Sequence, residues 1–97
     1  MEKIETIKQI LLNCKELLKK QFKVKNIAVF GSYVKGRPAK KSDIDMLVEF
    51  KEPVGLFEFM DMEEYLSKLL GGRVDLVSKK ALKPGIGKRI LAEAVYI

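Results

Sequence analysis

The feature that most constrains the fold is the pair Gly31-Ser32, separated by ten residues from Asp43 and Asp45. Residues 25–30 are largely apolar and stop at the glycine, which predicts a buried strand that ends in a tight turn. Residues 44–50 alternate between two sides, as expected of a second strand. Asp43 and Asp45 are two positions apart, so both carboxylates point to one face. The sequence therefore predicts a turn and two carboxylates within reach of one another.

The remaining segments predict three helices and a third strand. Apolar residues recur at helical spacing along residues 2–22 and bury Cys14. Residues 73–78 predict a strand that carries Asp75, and a last short helix starts at Pro84. The second helix is marked by Leu56, Phe59, Met60, Leu66, Leu69 and Leu70, ends at Gly71-Gly72, and has Asp61, Glu63 and Glu64 on a solvated face. The order α-β-β-α-β-α indicates an α/β or α+β fold, a small mixed sheet flanked by helices.

Length and composition exclude several classes of protein. The 97 residues have room for one domain, residues 1–97, and not for a second substrate-binding domain. The chain has no histidine and one cysteine, which excludes imidazole catalysis and an internal disulfide. No apolar run predicts a signal peptide or a membrane span, so we expect a cytoplasmic protein without a membrane partner. The net charge of +6 suits polyanions, but it is spread along the chain, and we expect no direct nucleic-acid binding.

Carboxylates on neighbouring strands suit magnesium-assisted transfer of a phosphoryl or nucleotidyl group. Such a reaction develops charge on phosphate oxygens, and Mg²⁺ prefers oxygen ligands. Asp43 and Asp45 on one strand and Asp75 on the next match the number of carboxylates that hold a pair of ions. Without cations they would be costly to bury at the ends of apolar strands. Asp43 also suits a turn or cap, and for Asp75 a structural role stays open.

The turn itself has the properties of a phosphate-binding loop. Gly31 lets the backbone approach a phosphate closely, and Ser32 can donate from its amide and its hydroxyl. A glycine–serine pair is also a common turn without any ligand. Tyr33 is expected to pack at the turn rather than stack on a base. The cations that follow could neutralise triphosphate oxygens or only aid solubility, and they are Lys35, Arg37, Lys40 and Lys41.

The combined pattern resembles a known signature. Phe30-Gly31-Ser32, nine residues and then Ser42-Asp43-Ile44-Asp45 before an apolar strand is similar to the motif of the DNA polymerase β-like nucleotidyltransferase superfamily. The small size, Val-Asp-Leu-Val at 74–77 and Ala-Leu-Lys-Pro at 81–84 resemble its minimal branch, the MNT proteins. The resemblance extends from about residue 25 to the end of the chain. Where many relatives have Arg near the second glycine of the loop, this chain has Lys35, which keeps the charge without the bidentate fork.

The resemblance implies a polymerase β-like fold and a complete set of site residues. Asp43, Asp45 and Asp75 would be the catalytic and metal-binding residues, while Gly31 and Ser32 would bind the nucleotide phosphates. Members of the minimal branch are commonly antitoxins that silence a helical HEPN-family ribonuclease toxin by transferring AMP from ATP to a toxin tyrosine. The resemblance thus implies an ATP-dependent protein adenylyltransferase that uses two Mg²⁺ ions and forms a hetero-oligomer with a HEPN toxin.

Two other functions stay open at this point. The chain could be an antitoxin that neutralises its partner by contact alone, although three intact aspartates argue against a decayed site. It could also transfer a nucleotide to a small molecule, but a chain of this size has little room for a second binding domain. An acceptor that arrives on another protein agrees better with the length.

Overall fold

The computed structural model describes residues 4–35 and 43–97, which form a four-stranded mixed sheet covered by helices. The elements are α1 (Ile4–Asn13), α2 (Lys15–Gln21), β1 (Val24–Phe30), β2 (Ile44–Phe50), α3 (Leu56–Leu70), β3 (Val74–Ser78), α4 (Pro84–Glu93) and β4 (Val95–Tyr96). Short 3-10 turns follow β1 at Gly31–Tyr33 and β3 at Lys79–Ala81. The predicted mixed sheet flanked by helices is confirmed.

The strand order β3-β2-β1-β4 decides which ends of the strands meet. β1 is antiparallel to β2 and to β4, whereas β2 and β3 are parallel. Phe30 at the end of β1 pairs with Asp45 near the start of β2, and Asp45 pairs in turn with Asp75 on β3. The turn that follows β1 therefore lies beside the beginnings of both acidic strands.

The core lies between one face of the sheet and the helices. Period-two alternation puts Val29, Met46, Val48 and Leu76 on that face, and all are buried. Helical residues at three-to-four spacing cover them, and these include Ile7, Leu11, Leu18, Met62 and Leu66. The opposite, acidic face carries Asp45 and Asp75, and it also carries Ala28 and Leu47, which are buried.

The first predicted helix is divided into two. Its apolar pattern continues through Cys14, but the backbone leaves helical geometry there, with φ −107° and ψ 8°. Cys14 is half-buried rather than buried, its Sγ lies 3.5 Å from the carbonyl oxygen of Leu11, and burial raises the pKa of its thiol. The predicted start at Glu2 lies outside the described residues. The helical spacing of apolar residues continues across the break because α1 and α2 bury side chains on the same side.

Helix α3 has the predicted end, and its buried stripe includes only some of the apolar residues that mark it in the sequence. Gly71 ends the helix in the left-handed conformation, with φ +69°, as expected of a glycine there. The buried stripe follows Met62, Leu66 and Leu70, each four residues apart. Leu56 and Met60 lie off this stripe and are 70% and 52% exposed. In the parts of the chain that the structure describes, no helix is both long and apolar enough to cross a membrane.

The C-terminal residues add a strand that the sequence did not predict. Val95 pairs with Val29 and Tyr96 with Ala28, which extends the sheet beyond β1. The amide of Ile97 donates to the carbonyl oxygen of Ile27 at 3.0 Å. Two residues are too short to show an alternation, so this strand exists only through its pairing.

Candidate active site

Gly31 and Asp45 are in close contact where β1 ends. Gly31 has φ +79°, a conformation that residues with a side chain rarely adopt. A Cβ added to Gly31 would overlap Oδ2 of Asp45 and would lie 3.2 Å from its Cγ and 3.3 Å from its Cβ. Glycine is therefore required here both by the backbone and by the position of the carboxylate.

The turn after Gly31 is held by backbone hydrogen bonds and by one buried aromatic ring. The carbonyl oxygen of Gly31 accepts hydrogen bonds from the amides of Val34 and Lys35 at 3.1 and 3.2 Å. Tyr33 is only 6% exposed and belongs to the core, which confirms that it packs. Ser32 lies between these anchors and is partly exposed. The turn is thus a fixed feature next to Asp45.

Two of the three predicted aspartates, Asp45 and Asp75, lie next to each other on the acidic face of the sheet. Asp45 and Asp75 are directly paired across the parallel strands, so their side chains share one face. Burial raises the pKa of Asp45, and the negative charges of Asp75 and then Asp43 raise it further. The carboxylates are therefore near enough to repel one another, and a cation placed between them would relieve that repulsion.

Only part of the predicted burial is found. Asp75 is exposed, whereas Asp43 and Asp45 are partly buried, so the expected cost of burial applies to Asp45 and not to Asp75. One oxygen of Asp43 lies 4.0 Å from Nε of Arg73, a contact between partly exposed groups that contributes little to stability. The described residues contain no group of three or more acidic, histidine or cysteine side chains gathered as metal ligands.

The donor chemistry nevertheless fits magnesium. Three carboxylates supply hard oxygen ligands of the kind that Mg²⁺ prefers. The mutual repulsion at Asp45 is the electrostatic condition that a divalent cation would remove.

The basic residues of the loop are only partly described. Nζ of Lys35 lies 3.6 Å from a carboxylate oxygen of Glu93, so this cation connects the turn to the end of α4. Arg37, Lys40 and Lys41 lie outside the described residues, as does Ser42. The predicted neutralisation of phosphate by this group therefore stays a prediction.

Two residues of α3 have contacts that the sequence did not predict. Glu63 was expected on the solvated face, yet its Oε2 accepts a hydrogen bond from the amide of Leu76 at 2.9 Å. Oγ of Ser67 accepts one from the amide of Val74 at 3.0 Å. Both accept from β3, the strand that carries Asp75. The only sequence signal is their four-residue spacing, which puts them on one side of the helix.

Glu49 lies on the acidic face of the sheet but away from the aspartates. It is four residues after Asp45 on β2, near the other end of the strand. Its Oε1 accepts a hydrogen bond from the side-chain amide of Asn26 at 2.9 Å and lies 3.7 Å from Nζ of Lys79. The hydrogen bond from Asn26 lowers the pKa of Glu49, and Lys79 acts in the same direction. This carboxylate is already paired and is a natural control for the others.

A small mixed sheet with a glycine turn beside paired aspartates is the arrangement of a nucleotidyltransferase. The nucleotidyltransferase domain family matches residues 7–97, and the chain belongs to that family of enzymes. It is 50% identical over 94 residues to the protein adenylyltransferase MntA of Thermococcus cleftensis, a match that covers 97% of this chain and 95% of the relative.

Two solved structures share the fold. A minimal nucleotidyltransferase superposes with a TM-score of 0.77 and 32% identity, covering 97% of this chain and 95% of its own. A complex of a tri-AMPylated HEPN toxin from Shewanella oneidensis with an MNT antitoxin gives a TM-score of 0.69 and 20% identity, covering 93% of this chain and 70% of that one. The second likeness concerns the fold alone. The predicted polymerase β-like, minimal nucleotidyltransferase architecture is thereby confirmed.

Proposed function

We propose that this chain is an antitoxin that transfers AMP from ATP to a tyrosine hydroxyl of a cognate HEPN ribonuclease toxin. The observation that carries the proposal is the in-register pair Asp45 and Asp75 beside the Gly31 turn. The 50% identity to the adenylyltransferase MntA supports the reaction and ATP as its substrate. The fold shared with an antitoxin bound to a tri-AMPylated HEPN toxin supports the class of partner.

In this proposal the chain binds the nucleotide through the turn and the metal through the aspartates. The backbone at Gly31 and the amide and hydroxyl of Ser32 hold the phosphates. Asp43 and Asp45 hold Mg²⁺, with Asp75 as the third ligand. Bound there, Mg²⁺ supplies positive charge for the phosphate oxygens as the reaction proceeds.

The transfer step breaks one bond and forms one. The phenolic oxygen of the toxin tyrosine bonds to the α-phosphorus of ATP while the bond from that phosphorus to the bridging oxygen breaks, and pyrophosphate leaves. Asp75 accepts the phenolic proton. Its exposure suits this role because an acceptor on another protein must reach it from solvent.

The test is transfer between purified proteins. The chain is incubated with ATP, Mg²⁺ and a co-encoded helical protein that has an Arg-x4-6-His motif, and the partner is weighed by intact-protein mass spectrometry. We expect the partner mass to rise by one or more AMP units, with the modification on tyrosine in peptide maps. An analogue blocked between the β- and γ-phosphates should still support transfer, whereas one blocked between the α- and β-phosphates should not.

The outcomes separate the alternatives. A partner whose mass does not change, although the chain is folded and neutralises it, would mean inhibition by contact alone. Modification of an aminoglycoside or another small molecule, with no modified protein, would mean a small-molecule transferase. The variant Asp61→Asn provides a control, since this exposed carboxylate on α3 lies on the opposite side of the helix from the buried stripe.

A further inference from the structure

β3 is the outermost strand beyond β2, so every second amide of β3 faces away from the sheet. Two such amides, those of Val74 and Leu76, donate to side chains of α3 rather than to another strand. Val74 and Leu76 are 2% and 5% exposed, so water has little access to these positions. The outer edge of β3 is therefore hydrogen-bonded to side chains of α3 instead of to another strand.

The spacing of the two acceptor side chains on α3 matches the spacing of the two amides on β3. Glu63 and Ser67 are four residues apart on α3, which corresponds to about 6 Å along a helix. Val74 and Leu76 are two residues apart on β3, which corresponds to about 6.6 Å along a strand. Two acceptors on one helical face thus meet two successive outward amides.

A hydrogen bond within α3 orients the hydroxyl of Ser67, one of the two acceptors. The hydroxyl of Ser67 donates to the carbonyl oxygen of Glu63 at 2.9 Å, which leaves its lone pairs for the amide of Val74. Glu63 accepts as a carboxylate, and such charge-assisted bonds are stronger than neutral ones. The contact is a defined arrangement and not a chance approach of side chains.

Asp75 lies between the two bonded amides. On its inner side β3 pairs with β2, where Asp75 is in register with Asp45. We propose that Glu63 and Ser67 are positioning residues, which hold β3 from outside so that the carboxylate of Asp75 stays opposite Asp45. This inference rests on the proposed function, in which Asp75 takes part in the transfer.

The activity test compares three variants with the wild-type chain in single-turnover AMP transfer to the partner protein. Glu63→Ala removes the acceptor of Leu76, and since small misplacement of a reacting group can cost about 100-fold, we expect the rate constant to fall about 10- to 100-fold. The ATP concentration that gives half of the maximal rate should change little, because the Gly31 turn is untouched. Glu63→Gln keeps an acceptor oxygen and should restore most of the rate. Glu64→Ala, which removes an exposed neighbour paired with Lys68, should not change it.

A second measurement does not depend on activity. Amide hydrogen exchange, followed residue by residue by NMR, should be faster at Leu76 in Glu63→Ala and faster at Val74 in Ser67→Ala. Unchanged exchange at both amides would overturn the inference. So would a normal rate of transfer in Glu63→Ala when the exchange at Leu76 is accelerated. Should Glu63→Ala fail to fold, Ser67→Ala decides the question with the same two readouts.

Asp75→Asn separates the inference from the function on which it rests. If Asp75→Asn transfers AMP normally, the role proposed for Asp75 is wrong, and the positioning role proposed for Glu63 fails with it. If Asp75→Asn is inactive while Glu63→Ala is fully active, the role of Asp75 stands and the positioning role alone is overturned.

Discussion

Asp45 and Asp75 stand directly opposite each other on the parallel strands β2 and β3. Residues paired in this way point to the same side of the sheet, so the two carboxylates are neighbours on one face. Burial and the charges of Asp75 and Asp43 raise the pKa of Asp45, which means that the folded chain resists its ionisation. The consequences for stability, metal binding and activity can each be measured.

Asp45→Asn should make the fold more stable near neutral pH. A carboxyl whose pKa is raised by folding contributes stability that is complete below its unfolded value of about 3.8 and is lost as the pH rises through the folded value. At neutral pH the wild-type chain therefore carries a cost that asparagine removes. Urea unfolding of both proteins should show a difference near pH 7 that shrinks toward pH 3. A wild-type chain that is the more stable one near pH 7 would contradict this.

Asp43→Asn combined with Asp45→Asn should abolish AMP transfer without unfolding the chain. A metal ion supplies several kcal/mol of charge stabilisation in the transition state, so losing its two proposed ligands should slow transfer by more than about 100-fold. Circular dichroism checks the fold, and intact mass of the partner measures transfer. Glu49→Gln is the matched control, because Glu49 lies on the same face of β2 but is bonded to Asn26. Retained transfer in the double variant would refute the metal role of these two residues.

Magnesium should raise the melting temperature of the wild-type chain. An ion that binds only the folded state at about 100 times its Kd adds about 2.7 kcal/mol to the free energy of unfolding. The shift should grow as the pH rises through the raised pKa of Asp45, because a protonated carboxyl is a poor ligand. Differential scanning calorimetry with and without MgCl₂ measures it. An equal shift in Asp43→Asn/Asp45→Asn would place the ion elsewhere.

Gly31→Ala should destabilise the chain and slow transfer together. Holding a residue with a side chain at positive φ lowers the free energy of unfolding by about 1–3 kcal/mol. Here the new Cβ would also displace Asp45. Chemical denaturation and the transfer assay measure the two effects. Gly85→Ala is the control, since a Cβ at Gly85 meets nothing within 4 Å. Equal stability of the two alanine variants would argue against the tight contact at Gly31.

Leu66→Ala and Leu56→Ala test which face of α3 is buried. Leu66 is fully buried in the core, and removing such a side chain costs about 2–5 kcal/mol. Leu56 is mostly exposed, so its replacement should change the free energy of unfolding by no more than about 0.5 kcal/mol. Urea denaturation of both variants gives the comparison. A similar loss of stability in both variants would show that Leu56 is also part of the core.

The parts of the fold that could be predicted are those with a local signal. Alternating residues marked β2, and the apolar run before Gly31 marked β1, because each strand buries at least one face. Gly71 ended α3 where a left-handed residue was needed. The break at Cys14 was missed because the same face is buried before and after it. β4 was missed because its two residues become a strand only by pairing with β1.

The sequence by itself determined that Asp45 lies on an alternating strand, that Gly31 ends the preceding strand and that Asp75 lies on a strand of its own. These properties follow from local backbone periodicity and from the conformational freedom of glycine. Only the tertiary structure decided that β3 lies parallel beside β2 with Asp75 opposite Asp45, and that Glu63 bonds to β3 instead of facing solvent. Strand neighbours and register depend on how a distant helix packs across the sheet, and residue spacing along one segment does not record that contact.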